Sequence, residues 1–149
     1  MHSIADQTHT NWSLILSDDG STDGTQDIAA RFAATRPEGQ VRLINGPCAG
    51  ATQNFLHLLQ TAPEGAVAFC DQDDVWFPDK LARAVDALQS HDGPAHYAAR
   101  TVICDETLKP LTGSRHFRRP FGFRNALIQA CMAGNTSVFN AAGAAILCK

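Results

Sequence analysis

The chain has 149 residues, of which 44% are hydrophobic and 18% are charged, and its formal net charge is -3. Such a length and composition predict one globular domain, residues 1–149, and the mild acidity gives no reason to expect a nucleic acid partner. No apolar run approaches the roughly 20 residues that span a bilayer, and the start of the chain lacks the basic and apolar regions of a signal peptide. We therefore expect a cytoplasmic protein. The five cysteines contain no CxxC pair, which argues against a zinc or dithiol site.

The first half of the chain alternates predicted strands with predicted helices. Strands are expected at residues 12–17, 41–44 and 66–70, and helices at about 25–35, at 51–61 and from Pro78 onward. Asp23 and Gln26 are spaced as a capping box for the first of these helices, whose apolar face would hold Ile28, Ala29 and Phe32. This alternation predicts an α/β fold in which helices flank a mostly parallel sheet.

The pattern is looser beyond residue 91. A strand is expected at 97–104, turns at 105–113, a helix at 121–131 and a strand at 136–140. Residues 114–120 form a predicted basic loop with Arg115, His116, Arg118 and Arg119. This loop either grips a diphosphate or an anionic acceptor, or is simply a solvated loop.

Three carboxylates, those of Asp71, Asp73 and Asp74, directly follow the apolar run at 66–70. Open α/β sheets bind their ligands beyond the carboxyl ends of the strands. Carboxylate oxygens at the spacing of Asp71 and Asp73 suit Mg²⁺ or Mn²⁺ shared with substrate phosphates. Because D-x-D by itself is a short and common pattern, a solvated acidic turn is the alternative.

A second polar segment, residues 17–25, follows the strand predicted at 12–17 and is rich in Asp, Ser, Thr and Gly. A carboxylate at this position, beside a helix N-terminus, can accept hydrogen bonds from a pyrimidine N–H or from ribose hydroxyls. The alternative is a turn in which these residues only cap the following helix.

Together these motifs resemble those of family 2 glycosyltransferases of the GT-A fold, most of all the bacterial rhamnosyltransferase-like branch. The resemblance runs in order through segments 18–25, 46–55, 71–81 and 134–140, which is nearly the whole chain. It implies a cytoplasmic enzyme of cell-envelope polysaccharide biosynthesis that transfers a hexose from a nucleotide-diphosphate sugar to a glycan or lipid-linked acceptor. A peripheral contact with the inner face of the membrane is part of that expectation.

The resemblance also implies roles for individual residues. Asp19 would hold the nucleotide base and Asp71 the ribose of a UDP- or dTDP-linked sugar. Gln72 would belong to the same nucleotide-sugar-binding set. Asp73 would ligate Mg²⁺ or Mn²⁺, which bridges the diphosphate.

The chain departs from the family pattern in two places. Members begin with a strand ending in a Thr-Tyr-Asn-like segment, whereas residues 1–10 resemble only the end of the helix after that strand. We therefore expect a gap in the sheet between the strands of Leu14 and Val67, and predict dimerisation through the unfilled edge. The family's catalytic base lies on a helix past the Gly-x-Thr segment, beyond the last residue here, so no catalytic base is assigned.

Two further hypotheses remain. Residues 69–75 also fit the hydrophobic-Asp-x-Asp-x-Val pattern of haloacid-dehalogenase-like phosphatases, in which the first Asp is the nucleophile. That motif usually ends the first strand of its domain, whereas here it ends the third predicted strand. The other hypothesis is a truncated, non-catalytic remnant that folds and at most binds a nucleotide.

Overall fold

The computed structural model describes residues 1–116, 122 and 132–147. These residues form α1 (His2–Ala5), β1 (Leu14–Asp18), α2 (Thr25–Ala34), β2 (Val41–Asn45), α3 (Ala51–Thr61), β3 (Val67–Ala68), α4 (Lys80–Gln89), β4 (His96–Tyr97), β5 (Val102–Cys104), β6 (Pro110–Gly113), a 3₁₀ turn (Gly134–Thr136), β7 (Val138–Phe139) and α5 (Ala141–Leu147). No helix within this described part combines the length and apolar character that a membrane crossing needs.

The N-terminal part is a β–α–β unit. β1 and β2 are parallel, with Leu14 beside Val41 and Asp18 beside Asn45. Helix α2 connects them and buries Ala29 and Phe32. Ile28, which was predicted on the same face, is 51% exposed. That prediction is wrong: the buried face of α2 is set by Ala29 and Phe32, one turn apart, and Ile28 lies to the side of it.

The second sheet has β7 at its centre. β3 and β4 both pair with β7 in antiparallel orientation, and β5 and β6 form a separate antiparallel hairpin. The α/β class is confirmed. Among the described strands the predicted parallel order is found in the β1–β2 pair, whereas the other pairs are antiparallel.

The predicted gap between the strands of Leu14 and Val67 is present, since β1 and β3 lie in different sheets of the described structure. Side-chain packing joins the two sheets. Leu14 of β1 and Ala68 of β3 both pack against a buried cluster of Ile4, Trp76 and Leu81.

Several boundaries differ from the prediction. β3 spans only Val67–Ala68 instead of 66–70, and α4 begins at Lys80, so Pro78 is not its first residue. The strand expected at 97–104 is two strands, β4 and β5. The region expected as turns, 105–113, contains β6. The reason is a tight turn at Asp105 that returns the chain beside β5. The Asp105 Oδ1 accepts hydrogen bonds from the backbone N–H groups of Thr107 (2.9 Å) and Lys109 (3.0 Å). The helix predicted at 121–131 and the residues Arg118 and Arg119 of the basic loop lie outside the described residues.

Candidate functional site

The end of β1 is fixed by the buried side chain of Asp18. Its Oδ2 accepts hydrogen bonds from the backbone N–H of Ser21 (3.1 Å) and from Nε2 of Gln26 (2.7 Å). These hydrogen bonds lower the pKa of the Asp18 carboxyl. The predicted capping box is wrong, because Gln26 turns to Asp18, and the N-cap position of α2 is Gly24 in a left-handed conformation. Asp23 instead accepts hydrogen bonds from the N–H and the hydroxyl of Thr25.

The Asp19 carboxylate binds the loop that leads into α3. Its Oδ1 accepts a hydrogen bond from the N–H of Cys48 (2.7 Å), and its Oδ2 accepts one from the N–H of Gly50 (2.9 Å). The loop approaches closely, since a Cβ added at Gly46 would lie 2.7 Å from the same Oδ1. Each carboxylate oxygen has a second lone pair, so Asp19 can still accept a hydrogen bond from a ligand.

Helix α3 is anchored to the end of β1 by Asn54. The Asn54 amide donates a hydrogen bond to the carbonyl oxygen of Ser17 (3.1 Å), and its Oδ1 accepts one from the Ser17 hydroxyl. On the β3 side, the ring of Phe55 packs edge-on against Phe69, with 5.5 Å between centroids. Helix α3 therefore contacts the residues that end β1 and those that follow β3.

The acidic turn, residues 71–74, follows β3. The backbone N–H of Asp74 donates to the carbonyl oxygen of Asp71 (3.3 Å), which closes the turn. Asp71 is half-buried, whereas Gln72 and Asp73 are exposed. Burial and the nearby carboxylates of Asp74 and Asp73 raise the pKa of Asp71, and the ammonium of Lys80 opposes that change. The turn thus concentrates negative charge near the ammonium group of Lys80.

A cavity of about 390 Å³ opens beside the acidic turn. Its lining is mostly apolar side chains of α3, and its polar side chains are those of Thr52 in α3, Asp71 in the acidic turn and Asn135 in the 3₁₀ turn. The lining residues are Thr52, Phe55, Leu56, Leu59, Phe69, Asp71, Gly134 and Asn135.

Two residues without a predicted individual role, Lys80 and Asn135, contact the acidic turn or its flank. Lys80 Nζ donates a hydrogen bond to the carbonyl oxygen of Asn135 (2.9 Å) and lies 3.6 Å from the centroid of the Trp76 ring. The Asn135 amide donates to Oδ2 of Asp74 at 2.6 Å. Burial lowers the pKa of Lys80 to about 8 and raises that of Cys70 to about 11. Lys80 and Asn135 belong to segments 71–81 and 134–140 of the family motifs. Their membership in these segments is the sequence signal that marked this region of the chain.

Trp76 follows the acidic turn, where an aromatic ring could form the wall of a sugar pocket or belong to the core. It is 8% exposed and packs with Ile4 and Leu81, which places it in the core.

A metal site is not preformed in the part of the chain that the structure describes: no three His, Cys, Asp or Glu side chains are grouped so as to hold an ion. The acidic turn supplies hard oxygen donors, which is the donor chemistry that Mg²⁺ and Mn²⁺ prefer. Such a turn can hold an ion only together with oxygens from a ligand or water.

The family model described as "Glycosyl transferase family 2" matches residues 1–148. The chain therefore belongs to glycosyltransferase family 2, as the resemblance of its motifs predicted. The haloacid-dehalogenase-like alternative is not retained.

Three relatives illustrate the similarity. TuaG of Bacillus subtilis (strain 168), named as a teichuronic acid biosynthesis glycosyltransferase, is 36% identical over 71% of this chain and 42% of its own length. The dTDP-rhamnosyl transferase RfbG of Shigella flexneri is 33% identical over 59% of this chain and 32% of its own length. The UDP-Glc:alpha-D-GlcNAc-diphosphoundecaprenol beta-1,3-glucosyltransferase WfgD of Escherichia coli is 27% identical over 71% of this chain and 41% of its own length. The matched regions thus span less than half of each relative.

Proposed function

We propose that the chain carries the donor site of a glycosyltransferase that binds a UDP- or dTDP-linked sugar with a divalent cation. The observation that carries this proposal is that Asp19, after β1, and the acidic turn, after β3, both lie next to helix α3. Asp19 accepts hydrogen bonds from the loop that leads into α3, and Asp71 lines a cavity together with side chains of α3. Ligand sites of α/β proteins lie beyond the carboxyl ends of strands, and polar donors and acceptors there fix the ligand's orientation.

Each predicted site residue has a role in this proposal. Asp19 accepts a hydrogen bond from the nucleotide base through the lone pairs that the loop at 46–50 leaves available. Asp71, half-buried at the cavity wall, accepts hydrogen bonds from the ribose hydroxyls, and Gln72 is its polar neighbour. Asp73 is exposed and provides a carboxylate to the cation.

The acidic turn fits a hard cation. Asp71 has its pKa raised in part by the carboxylates of Asp74 and Asp73, so a positive ion in this place would relieve their mutual repulsion. When bound, Mg²⁺ or Mn²⁺ would stabilise the negative charge that develops on the leaving diphosphate. The residues of the chain would bind the nucleotide and orient its diphosphate toward that charge.

The names of the relatives support both nucleotide classes, since RfbG is named for a dTDP-linked sugar and WfgD for UDP-glucose. WfgD is also named for an acceptor on diphosphoundecaprenol. We extend this to the present chain as a proposal for a glycan or lipid-linked acceptor, met at the inner face of the membrane in cell-envelope polysaccharide synthesis.

The proposal is tested by calorimetric titration of UDP and dTDP with Mn²⁺ and again with EDTA. We expect binding that requires the metal and that weakens roughly tenfold or more, ~1.4 kcal/mol, in Asp73→Asn. Asp92→Asn, at an exposed aspartate outside the site motifs, is the matched control and should bind as the unchanged chain does.

Binding that ignores both EDTA and Asp73→Asn would contradict the assignment of Asp73. No binding of either nucleotide under any condition would favour the hypothesis of a non-catalytic remnant over the proposal.

A further inference from the structure

Three parts of the chain meet at one side of the proposed site, and one of them is far from the other two in the sequence. They are the acidic turn, the first residue of α4, Lys80, and the 3₁₀ turn that contains Asn135. We propose that Asn135 and Lys80 are positioning residues that hold the acidic turn in the arrangement the donor site requires. This inference rests on the proposed function and adds two residues to it.

Asn135 connects the turn to the rest of the chain through both its side chain and its backbone. Its amide donates to Oδ2 of Asp74 (2.6 Å), and its carbonyl oxygen accepts the hydrogen bond from Lys80 Nζ (2.9 Å). The 3₁₀ turn that carries it is itself fixed, because the buried Thr136 donates hydrogen bonds from its N–H and its hydroxyl to the carbonyl oxygen of Ala133. The position of the Asn135 amide is therefore set from outside the acidic turn.

Lys80 provides the second connection. Its ammonium is partly buried against the Trp76 ring, and Trp76 belongs to the core cluster. A fixed ammonium beside several carboxylates reduces the repulsion among those carboxylates before a cation binds. A mobile surface lysine would lose most of this effect to solvent screening.

The amide of Asn135 also selects which carboxylates remain available. One oxygen of Asp74 is taken by that amide, whereas Asp73 is exposed to solvent and Asp71 faces the cavity. Asp71 and Asn135 line the same cavity, so a shift of the 3₁₀ turn would displace the wall beside the proposed ribose site. The amide of Asn135 thus orients the Asp74 carboxylate through one of its oxygens, while Asp71 and Asp73 are left to the ligand.

The decisive experiment exchanges the two partners of the amide–carboxylate pair. Asn135→Asp places two carboxylates against each other, and we expect the affinity for UDP and dTDP with Mn²⁺ to fall roughly tenfold, ~1.4 kcal/mol. The double variant Asp74→Asn with Asn135→Asp keeps the net charge and restores one amide–carboxylate hydrogen bond. We expect it to recover the affinity to within about threefold, ~0.65 kcal/mol.

Lys80 is tested in parallel. Lys80→Met should weaken metal-dependent binding, and Lys80→Arg, which keeps the charge and the contact with the Trp76 ring, should weaken it less. Lys109→Met and Asn11→Ala, at exposed positions away from the turn, are the matched controls. Circular dichroism and thermal melting of each variant establish that the chain is folded in every titration.

The outcomes separate the two proposals. Loss of affinity in Asn135→Asp with recovery in the double variant supports the positioning role, because damage to folding alone would not be reversed by the exchange. Unchanged affinity in Asn135→Asp and Lys80→Met, or no recovery in a folded double variant, overturns that role while the proposed function stands. Failure of the unchanged chain to bind either nucleotide overturns the proposed function and the positioning role together.

Discussion

The side-chain oxygen of Gln7 accepts a hydrogen bond from the backbone N–H of Leu81 at 2.9 Å. The amide of the same side chain donates to the carbonyl oxygens of Ser3 (2.9 Å) and Phe77 (2.7 Å). The first N–H groups of a helix have no partner within it, so a residue 74 positions earlier satisfies one of them at the start of α4. This helix follows the acidic turn after the short segment 75–79, and Gln7 thereby fixes the chain that leaves the proposed site.

We expect Gln7→Ala to lower the free energy of unfolding by about 1–3 kcal/mol, because a buried N–H and two partly buried carbonyl groups lose their partner. Urea denaturation measures the change. Gln60→Ala, at an exposed position of α3, is the control and should alter stability by less than about 0.5 kcal/mol. Equal effects of the two substitutions would show that the Gln7 side chain does not support α4.

Asp19 has a structural and a proposed binding role that can be separated. Asp19→Ala removes the two carboxylate oxygens that accept hydrogen bonds from the loop at 46–50. We expect it to lower the free energy of unfolding by about 1–2 kcal/mol and to weaken nucleotide binding. Asp19→Asn keeps one acceptor oxygen, so it should cost less stability while still weakening binding. Urea denaturation and calorimetric titration, run on both variants, measure the two effects. A nucleotide affinity that is unchanged in both variants would remove Asp19 from the binding site.

Cys48 has a backbone φ of 55°, in the left-handed region that costs most residues about 1–2 kcal/mol. Asn tolerates this conformation, so Cys48→Asn should raise the free energy of unfolding by up to about 1 kcal/mol. The β-branched Cys48→Val should lower it by about 1–2 kcal/mol. Thermal or urea denaturation provides the comparison, and Cys104→Val in β5, where the backbone is extended, should be close to neutral. Identical effects of Val at the two cysteines would contradict the backbone argument.

His96 predicts a loss of stability in mild acid. Its ring stacks on Phe139 with 4.2 Å between centroids, and burial lowers its pKa below the ordinary 6.5. The unfolded chain therefore binds a proton at a pH where the folded chain does not, and the free energy of unfolding falls as the pH drops below 6.5. Urea denaturation at pH 7.5 and at pH 5.5 should show a smaller decrease in His96→Phe than in the unchanged chain. A decrease of the same size in His96→Phe would exclude this histidine as the cause, and His116→Gln, at an exposed histidine, serves as the control.

Local sequence signals predicted the elements whose ends are marked by nearby Gly, Pro, Asp or Ser residues. Helix α3 has its predicted bounds, Ala51–Thr61, between Gly50 and Pro63. The turns after β1 and β3 also fall where their Asp, Ser and Gly residues indicated. The placement of Asp19, Asp71, Gln72 and Asp73 at strand ends was therefore accessible from the sequence, while their roles toward a ligand stay predictions.

Contacts between distant segments were not accessible in this way. Nothing near Asn135 indicates that its amide meets Asp74, 61 positions away, because that meeting depends on how β7 enters the sheet beside β3. Competition between alternative hydrogen-bond partners was also not accessible from the sequence. In a capping box, the Gln26 side-chain oxygen would accept a hydrogen bond from the backbone N–H of Asp23. The Gln26 amide instead donates to the buried carboxylate of Asp18, so the capping box does not form. The hairpin of β5 and β6 depends on a turn at Asp105 that a strand pattern alone does not distinguish from a loop.

The separation of β1 from β3 in the described structure has a mechanical consequence. The pair β1–β2 and the sheet β3–β7–β4 are joined by interlocking side chains and not by a shared ladder of backbone hydrogen bonds. Elements joined by side-chain packing shift against each other more easily than strands joined by backbone hydrogen bonds. We therefore expect the motion of lowest energy cost to be a rocking of one sheet against the other. That motion changes the distance between Asp19 and Asp71, and a nucleotide bound to both residues would restrict the motion.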